Sequence, residues 1–151
     1  DWSPLNFALG SRNSIFCLGR GPAYAMSNEA ALKFKETCQI HAESYSSAEV
    51  LHGPVSIVDG GFPVIAFASQ DLAEAPLAKV ADALADKGAT VFATSQMVQK
   101  ATALPVVRTG HPLTDPIALI ASFYAMVEHI ASARGINPDA PRHLNKVTET
   151  V

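Results

Sequence analysis

Glu29, Lys33 and Glu36 are the residues whose types and spacing best suit proton-transfer chemistry in this 151-residue chain. Residues four and seven positions apart lie on one face of an α-helix, because each residue turns the helix by about 100°. A carboxylate on that face could act as a general base, and the lysine beside it could stabilise a developing oxyanion. The same spacing also fits an ordinary ion pair on a solvated helix surface.

A glycine-rich turn should precede this helix. Residues 13–18 form an apolar run typical of a buried strand, and Gly19, Arg20 and Gly21 interrupt it before a helix predicted over residues 22–39. Free N–H groups at a helix N-terminus can hold an anion, so Gly19, Arg20 and Gly21 are candidate substrate-binding residues. Glu29, on the charged face of the same helix, is a further candidate. The turn lacks the third glycine of a dinucleotide fingerprint and the Gly-Lys-Ser/Thr of a phosphate loop.

The rest of the chain continues the alternation of strands and helices. The further predicted elements are a turn at 44–47, one helical turn at 48–51, strands at 62–68, 89–93 and 104–107, and helices at 77–86 and 115–134. This order predicts a three-layer α/β/α sandwich with a largely parallel sheet. We expect a single domain over residues 1–151, with residues 137–151 as an extended C-terminal tail.

Details of packing can also be predicted. Pro105 makes 104–107 an edge strand, and Asp115 with Pro116 should cap the last helix. Two apolar stripes should face the core, and their residues are Ala30, Leu32 and Phe34 in the first long helix and Ile117, Ile120, Ala121, Tyr124, Val127 and Ile130 in the last. Since parallel sheets bind ligands at the carboxyl ends of their strands, residues 19–22, 94–96 and those after 68 and 107 should gather on one rim.

Composition excludes several classes of protein. The net charge of −3, without a basic run, argues against direct nucleic-acid binding. No spacing of ligands predicts a metal site, and no motif predicts a cofactor. Cys17 and Cys38 fit buried, reduced thiols. We see no targeting signal and no apolar run of membrane-spanning length, which predicts a cytoplasmic protein, and the low charged fraction of 17% suggests a partner surface.

Several separated motifs resemble one known family. Residues 28–36, 40–45 and 49–54 resemble the second sugar isomerase (SIS) domain of the glucosamine-6-phosphate synthases, and residues 18–21 and 141–148 match the two ends of that domain. The motifs occur in the family's order with compatible spacing over nearly the whole chain. The resemblance implies a flavodoxin-like SIS fold and a sugar phosphate as the ligand.

The resemblance also implies roles for individual residues. Glu36 would shuttle a proton between C1 and C2 of the opened sugar, and Lys33 would stabilise the enediolate or enolamine. His52 would assist ring opening from the neighbouring subunit of a homodimer. Lys146 in the tail would contact the sugar or form an imine with it.

Two departures limit what the resemblance implies. The chain has neither an N-terminal nucleophilic cysteine nor room for a glutaminase domain, and it lacks the Ser/Thr-rich phosphate loop of the family's first SIS domain. We therefore expect the C-terminal half of a longer protein with a preceding SIS domain. The leading hypothesis is an aldose-ketose sugar-phosphate isomerase or aminosugar-6-phosphate deaminase in amino sugar metabolism. The alternatives are the isomerase half of a glutamine-dependent fructose-6-phosphate aminotransferase and a non-catalytic sugar-phosphate sensor of a transcriptional regulator.

Overall fold

A five-stranded parallel sheet organises residues 2–144, which are the residues described by the computed structural model. In chain order the elements are α1 (Ser3–Leu9), β1 (Ser14–Gly19), α2 (Ala23–Cys38), β2 (His41–Ser46), a 3₁₀ helix (Pro54–Ile57), β3 (Pro63–Phe67), α3 (Glu74–Asp86), β4 (Thr90–Ala93), β5 (Thr102–Ala103) and α4 (Asp115–Ala133). The strand order is β2-β1-β3-β4-β5, and all four neighbouring pairs are parallel.

Helices cover both faces of the sheet, which confirms the predicted α/β/α sandwich. Alternate strand residues point to opposite faces, so Ile15 and Cys17 pack with α1, α2 and α4, whereas Phe16 and Leu18 pack with α3. Both faces of the central strands are therefore buried, as expected for a parallel sheet. Residues 137–144 follow α4 and contain two turns, closed by hydrogen bonds between the backbones of Asn137 and Ala140 and of Pro141 and Leu144.

Helix α2 lies against β1 and α4. Phe34 is fully buried and meets Phe123 of α4 edge to face, with ring centroids 5.4 Å apart. Ala30 is buried as predicted, but the prediction for Leu32 is wrong, since this residue is 42% exposed. Leu32 lies between the buried positions and the charged ones, where helical spacing alone does not decide its orientation.

Strand β2 replaces the turn that we predict at residues 44–47. Its residues pair with β1 along their whole length, with Ser14 opposite His41 and Gly19 opposite Ser46. The segment is polar because β2 is an edge strand, and its residues from Glu43 to Ser46 are only half-buried. The sequence of β2 does not indicate a strand. Its conformation is stabilised by pairing with β1 and by a hydrogen bond of 2.8 Å between the hydroxyls of Ser44 and Ser27.

The other elements differ from prediction in smaller ways. β5 is an edge strand as predicted but lies two residues earlier, ending before buried Leu104. A 3₁₀ helix that the sequence does not predict begins at Pro54, since proline fits the first position of a helix. Both cysteines are buried and unpaired, as predicted.

Helix α4 exposes a different face from the predicted one. Val127 and Ile130 are buried, but Ile117 and Tyr124 are 67% and 44% exposed. The face that packs instead carries Leu119, Phe123 and Met126, so the true stripe is rotated by about one residue. An apolar residue occurs on almost every side of α4, and the sequence pattern therefore does not fix which side is buried.

By length and composition alone, α4 could span a membrane, which contradicts the prediction that no apolar run is long enough. Its mean hydropathy of 1.3 reflects the same all-round apolar character. The fully buried residues Phe123, Ile130 and Ala131 pack in the core beneath the helix. A core helix of an α/β domain meets the same criterion, so the hydropathy of α4 does not by itself indicate a membrane span.

Candidate active site

Glu29, Lys33 and Glu36 lie on one face of α2. We call these three side chains the charged row. The Lys33 Nζ atom lies 2.6 Å from Oε2 of Glu36 and 3.7 Å from Oε1 of Glu29. The three side chains are 28–33% exposed, so each is partly shielded from water but still accessible. The predicted helical face is therefore present, with the lysine bonded to one carboxylate and near the other.

The charged row favours a protonated lysine. The hydrogen bond to Glu36 raises the pKa of Lys33, burial opposes that rise, and the negative charges of Glu36 and Glu29 add to it. Lys33 is consequently an ammonium ion at neutral pH, able to stabilise negative charge on a neighbouring oxygen. A carboxylate within hydrogen-bonding distance of that ammonium could exchange a proton with a bound ligand.

Tyr124 of α4 reaches the other end of the charged row. Its hydroxyl donates a hydrogen bond of 2.8 Å to Oε1 of Glu29. This bond raises the pKa of the Tyr124 phenol, and burial and the charge of Glu29 act in the same direction. Sequence reasoning assigned Tyr124 to the core, and only the rotation of α4 brings its hydroxyl to Glu29.

Gly19, Arg20 and Gly21 lie at the opposite end of α2 from Glu36. Thirteen residues of helix separate Glu36 from Ala23 at its start, which is about 20 Å at 1.5 Å per residue. A Cβ atom at Gly19 would lie 2.5 Å from the carbonyl oxygen of Ala23, so close packing of α2 on β1 requires glycine there. The structure therefore does not bring the glycine turn and the Lys33–Glu36 pair together.

His52 lies in an exposed turn after β2. Val50 in the same turn is buried in the cluster beneath α3, which is on the other face of the sheet from α2. Within one chain, the segment that carries His52 and the helix that carries Glu36 thus pack on opposite faces. The described part of the chain does not combine these two predicted residues in one site.

Lys146 is outside the described residues, but the segment before it approaches the relevant end of α2. Arg142 lines an open cavity of about 730 Å³ together with Cys38 and Gln39. Cys38 is the last residue of α2, and Gln39 follows it. Glu36 lies two residues before Cys38. The described part of the tail therefore passes the end of α2 that carries Glu36.

A second charged group, which sequence reasoning missed, consists of Arg108, Glu74 and Asp115, and we call it the rim cluster. The two terminal nitrogens of Arg108 lie 2.9 Å from Oε1 of Glu74 and 3.4 Å from Oδ2 of Asp115. The same side chain donates hydrogen bonds of 2.7 and 2.9 Å to the carbonyl oxygens of Ala68 and Thr94. The only signal of this role in the sequence is that Arg108 directly follows the predicted strand at 104–107, near the expected rim.

The rim cluster confirms that the loops after β3, β4 and β5 meet at one rim. Gly21 also belongs there, since a Cβ atom on it would lie 2.8 Å from Oδ2 of Asp71. Asp115 does not cap α4 as predicted, because its carboxylate accepts hydrogen bonds from the backbone N–H groups of Gln70 and Thr109. Burial alone would raise the pKa of Asp115, but these bonds and the charge of Arg108 together lower it.

Parallel sheets often bind ligands at this rim. Here the chain's own side chains occupy its part beside the ends of β3, β4 and β5. Among residues 2–144, no group of three His, Cys, Asp or Glu side chains is arranged to hold a metal ion. The charged row is the group that combines a base, a cation and partial exposure. It is therefore the candidate active site.

Comparison with known proteins gives a family match over most of the chain. The family model for the SIS domain matches residues 8–132. The chain is 37% identical to the glutamine–fructose-6-phosphate aminotransferase (isomerizing) of Symbiobacterium thermophilum over 148 residues, and 38% identical to that of Pyrobaculum aerophilum over 143 residues. These alignments cover 92% and 91% of this chain, and each covers 24% of the relative, so the chain spans about a quarter of their length.

Solved structures give a similar result. A protein from Silicibacter pomeroyi DSS-3 that carries the provisional name phosphosugar isomerase is 67% identical, with a TM-score of 0.87 over 92% of this chain and 42% of that protein. The C-terminal domain of glucosamine-fructose-6-phosphate aminotransferase from Francisella tularensis is 25% identical, with a TM-score of 0.81 over 89% of this chain and 40% of that one.

Proposed function

Because this chain belongs to the SIS domain family, we propose that it is the catalytic half of a sugar-phosphate isomerase or aminosugar-6-phosphate deaminase. Such an enzyme would move a proton between C1 and C2 of an open-chain sugar phosphate. The observation that carries the proposal is the bond of 2.6 Å between Lys33 and Glu36 on a partly exposed helix face. A base beside a fixed cation is what abstraction of a proton next to a carbonyl requires.

In this proposal Glu36 is the general base that takes and returns the proton. Removal of a proton from C2 of an aldose or C1 of a ketose places negative charge on the neighbouring oxygen. The Lys33 ammonium stabilises that charge, since the raised pKa keeps the lysine protonated. Glu29 lies on the other side of Lys33, with its Oε1 atom 3.7 Å from Nζ, and forms no hydrogen bond with it. Gly19 and Gly21 keep a packing role, because their turn lies about 20 Å from Glu36 along α2.

Other parts of the enzyme must complete the site. We propose that His52 reaches it from a second subunit of a homodimer, because within one chain its segment packs on the opposite face from α2. Lys146 would enter with the tail, which passes the Glu36 end of α2. A preceding SIS domain would bind the phosphate group, since Arg108, at the ends of β3, β4 and β5, is already paired with Glu74 and Asp115. We place the enzyme in the cytoplasm.

A second candidate is the isomerase half of a glutamine-dependent fructose-6-phosphate aminotransferase. The observation in its favour is that relatives 37–38% identical to this chain carry that name. The two candidates share the chemistry of Glu36 and Lys33 and differ in whether glutamine supplies nitrogen to the sugar. Glutamine consumption by the full-length protein in the presence of fructose 6-phosphate would identify the aminotransferase, whereas turnover without glutamine would identify the isomerase or deaminase.

Replacement of Glu36 by glutamine in the full-length protein tests the proposal. Glu36→Gln retains an acceptor for Lys33 but cannot accept the proton, so we expect kcat for sugar-phosphate turnover to fall about 10³-fold, within the range of general-base catalysis. The midpoint of thermal unfolding should be unchanged. Glu128→Gln, which alters an exposed carboxylate of α4, is the matched control and should retain full activity. Full turnover in Glu36→Gln would exclude the proposed role.

A further inference from the structure

Tyr124 and Lys33 approach the same oxygen of Glu29. The Tyr124 hydroxyl lies 2.8 Å from Oε1, which is a hydrogen bond, whereas Lys33 Nζ lies 3.7 Å from that atom, which is beyond hydrogen-bonding distance. At the same time Nζ lies 2.6 Å from Glu36. Lys33 thus has two carboxylates within reach and forms its hydrogen bond with the one that Tyr124 does not touch.

The position of Tyr124 is set by the packing of α4. Its neighbour Phe123 is fully buried and lies edge to face with Phe34 of α2, so the two helices are fixed relative to each other. The rings of Phe123 and Tyr124 have centroids 6.0 Å apart. The packing of α4 thus places the Tyr124 hydroxyl where it bonds to Glu29 across the surface between the helices, although Tyr124 is 44% exposed.

We propose that Tyr124 is a positioning residue, whose hydroxyl occupies Oε1 of Glu29 and so keeps the Lys33 ammonium on Glu36. A hydrogen bond from the phenol withdraws electron density from Oε1 and makes that oxygen a poorer partner for the ammonium. Lys33 then remains with Glu36, where the proposed function needs it. The catalytic meaning of this inference rests on the proposed function, but the control of Lys33 by Tyr124 does not.

The first experiment is structural and needs no activity. Crystal structures of the full-length protein and of its Tyr124→Phe variant would be compared at the charged row. The variant keeps the ring and its contact with Phe123, so the fold should be unchanged. Without the hydroxyl, we expect Lys33 Nζ to move into hydrogen-bonding distance of Glu29 and away from Glu36. If Nζ remains bonded to Glu36 as before, the inference is overturned.

The second experiment measures the consequence for turnover. Tyr124→Phe should lower kcat for sugar-phosphate turnover about tenfold, at the low end of what a hydrogen bond to a charged group contributes. KM should be unchanged, since the hydroxyl acts through Lys33 and not on the bound sugar. A rise in KM at constant kcat would contradict the positioning role.

Two further variants separate positioning from packing. In a Glu29→Gln background the charge that competes for Lys33 is absent, so adding Tyr124→Phe should lower kcat no further. Equal effects of Tyr124→Phe with and without Glu29→Gln would refute the inference.

Tyr24→Phe is the matched control, because Tyr24 is 40% exposed on α2 itself. This variant should leave both kcat and the position of Lys33 unchanged. Absence of any sugar-phosphate turnover in the unmutated protein would instead count against the proposed function, and the crystal structures would still test Tyr124.

Discussion

The charged row and the rim cluster are both built from one cation between two carboxylates, yet their surroundings differ. In the rim cluster the side chains of Glu74 and Asp115 are 9% and 1% exposed. Backbone carbonyls accept the other hydrogen bonds of Arg108, and Asp115 accepts further bonds from two backbone N–H groups and the Thr109 hydroxyl. In the charged row the three side chains are about a third exposed, and Lys33 forms one short bond. Burial and full hydrogen bonding suit the rim cluster to stabilise the fold.

The charged row has the opposite properties. A group that reacts must keep an accessible atom and an unused hydrogen-bonding capacity, and the partial exposure of Glu36 provides both. The fold assigns these tasks to different places, since the rim cluster ties three loops together at the carboxyl edge of the sheet while the charged row lies on the outer face of α2. This comparison predicts that mutations in the two groups have opposite consequences, with stability lost in one and activity lost in the other.

The largest loss of stability should follow from Arg108→Met. Removal of the guanidinium leaves two buried carboxylates without their cation, which typically costs about 3 kcal/mol or more. Urea unfolding would measure the change. Lys100→Met, which breaks an exposed pair with Asp86, is the control and should cost less than about 1 kcal/mol. If the two variants lose the same stability, the rim cluster is no more structural than a surface pair.

The contribution of the rim cluster to the stability of the fold should be present at neutral pH and lost in acid. The pKa of Asp115 in the folded chain is below its value in the unfolded chain, so its contribution to stability is complete above pH of about 4. That contribution is lost as the pH falls through the lowered pKa, because the unfolded chain then binds the proton more readily. Unfolding midpoints between pH 6 and pH 3 should therefore fall less steeply in Asp115→Asn than in the unmutated chain.

A matched variant makes the acid experiment specific. Asp139→Asn changes an exposed aspartate in the turns after α4 and should leave the acid dependence as it is. Asp115→Asn should also lower stability at neutral pH, since the amide cannot accept all the hydrogen bonds of the carboxylate. An unchanged slope in Asp115→Asn would mean that Asp115 does not control the acid sensitivity.

Much of the fold could be predicted because the central strands are apolar and the long helices are periodic. The strands near 62–68 and 89–93 are buried on both faces, so their sequences are continuous apolar runs that need no tertiary information. β2 escaped prediction for the opposite reason, since an edge strand with half-buried residues can be polar and depends on its partner. The sequence predicts helix α4 but not which of its sides is buried, because apolar residues occur on almost every side of the helix.

The residues of the candidate site that lie on one helix could be predicted from the sequence, but the contacts between different helices and loops could not. The spacing of Glu29, Lys33 and Glu36 places them on one face whatever surrounds α2. Nothing in spacing indicates that Arg108 reaches the carbonyl oxygens of two other loops, or that Tyr124 reaches Glu29 from 95 residues away. Such contacts depend on how the helices and loops pack.

The smallest loss of stability in this comparison should follow from Lys33→Met. The two carboxylates left behind are partly exposed and retain water, so the free energy of unfolding should fall by about 1 kcal/mol or less. Turnover should nevertheless be lost to a degree similar to Glu36→Gln, because no cation remains to stabilise the developing oxyanion. Lys79→Met, at an exposed position of α3, should preserve both properties. If Lys33→Met destabilises the chain as much as Arg108→Met, the charged row is a second structural cluster, and its partial exposure has no catalytic meaning.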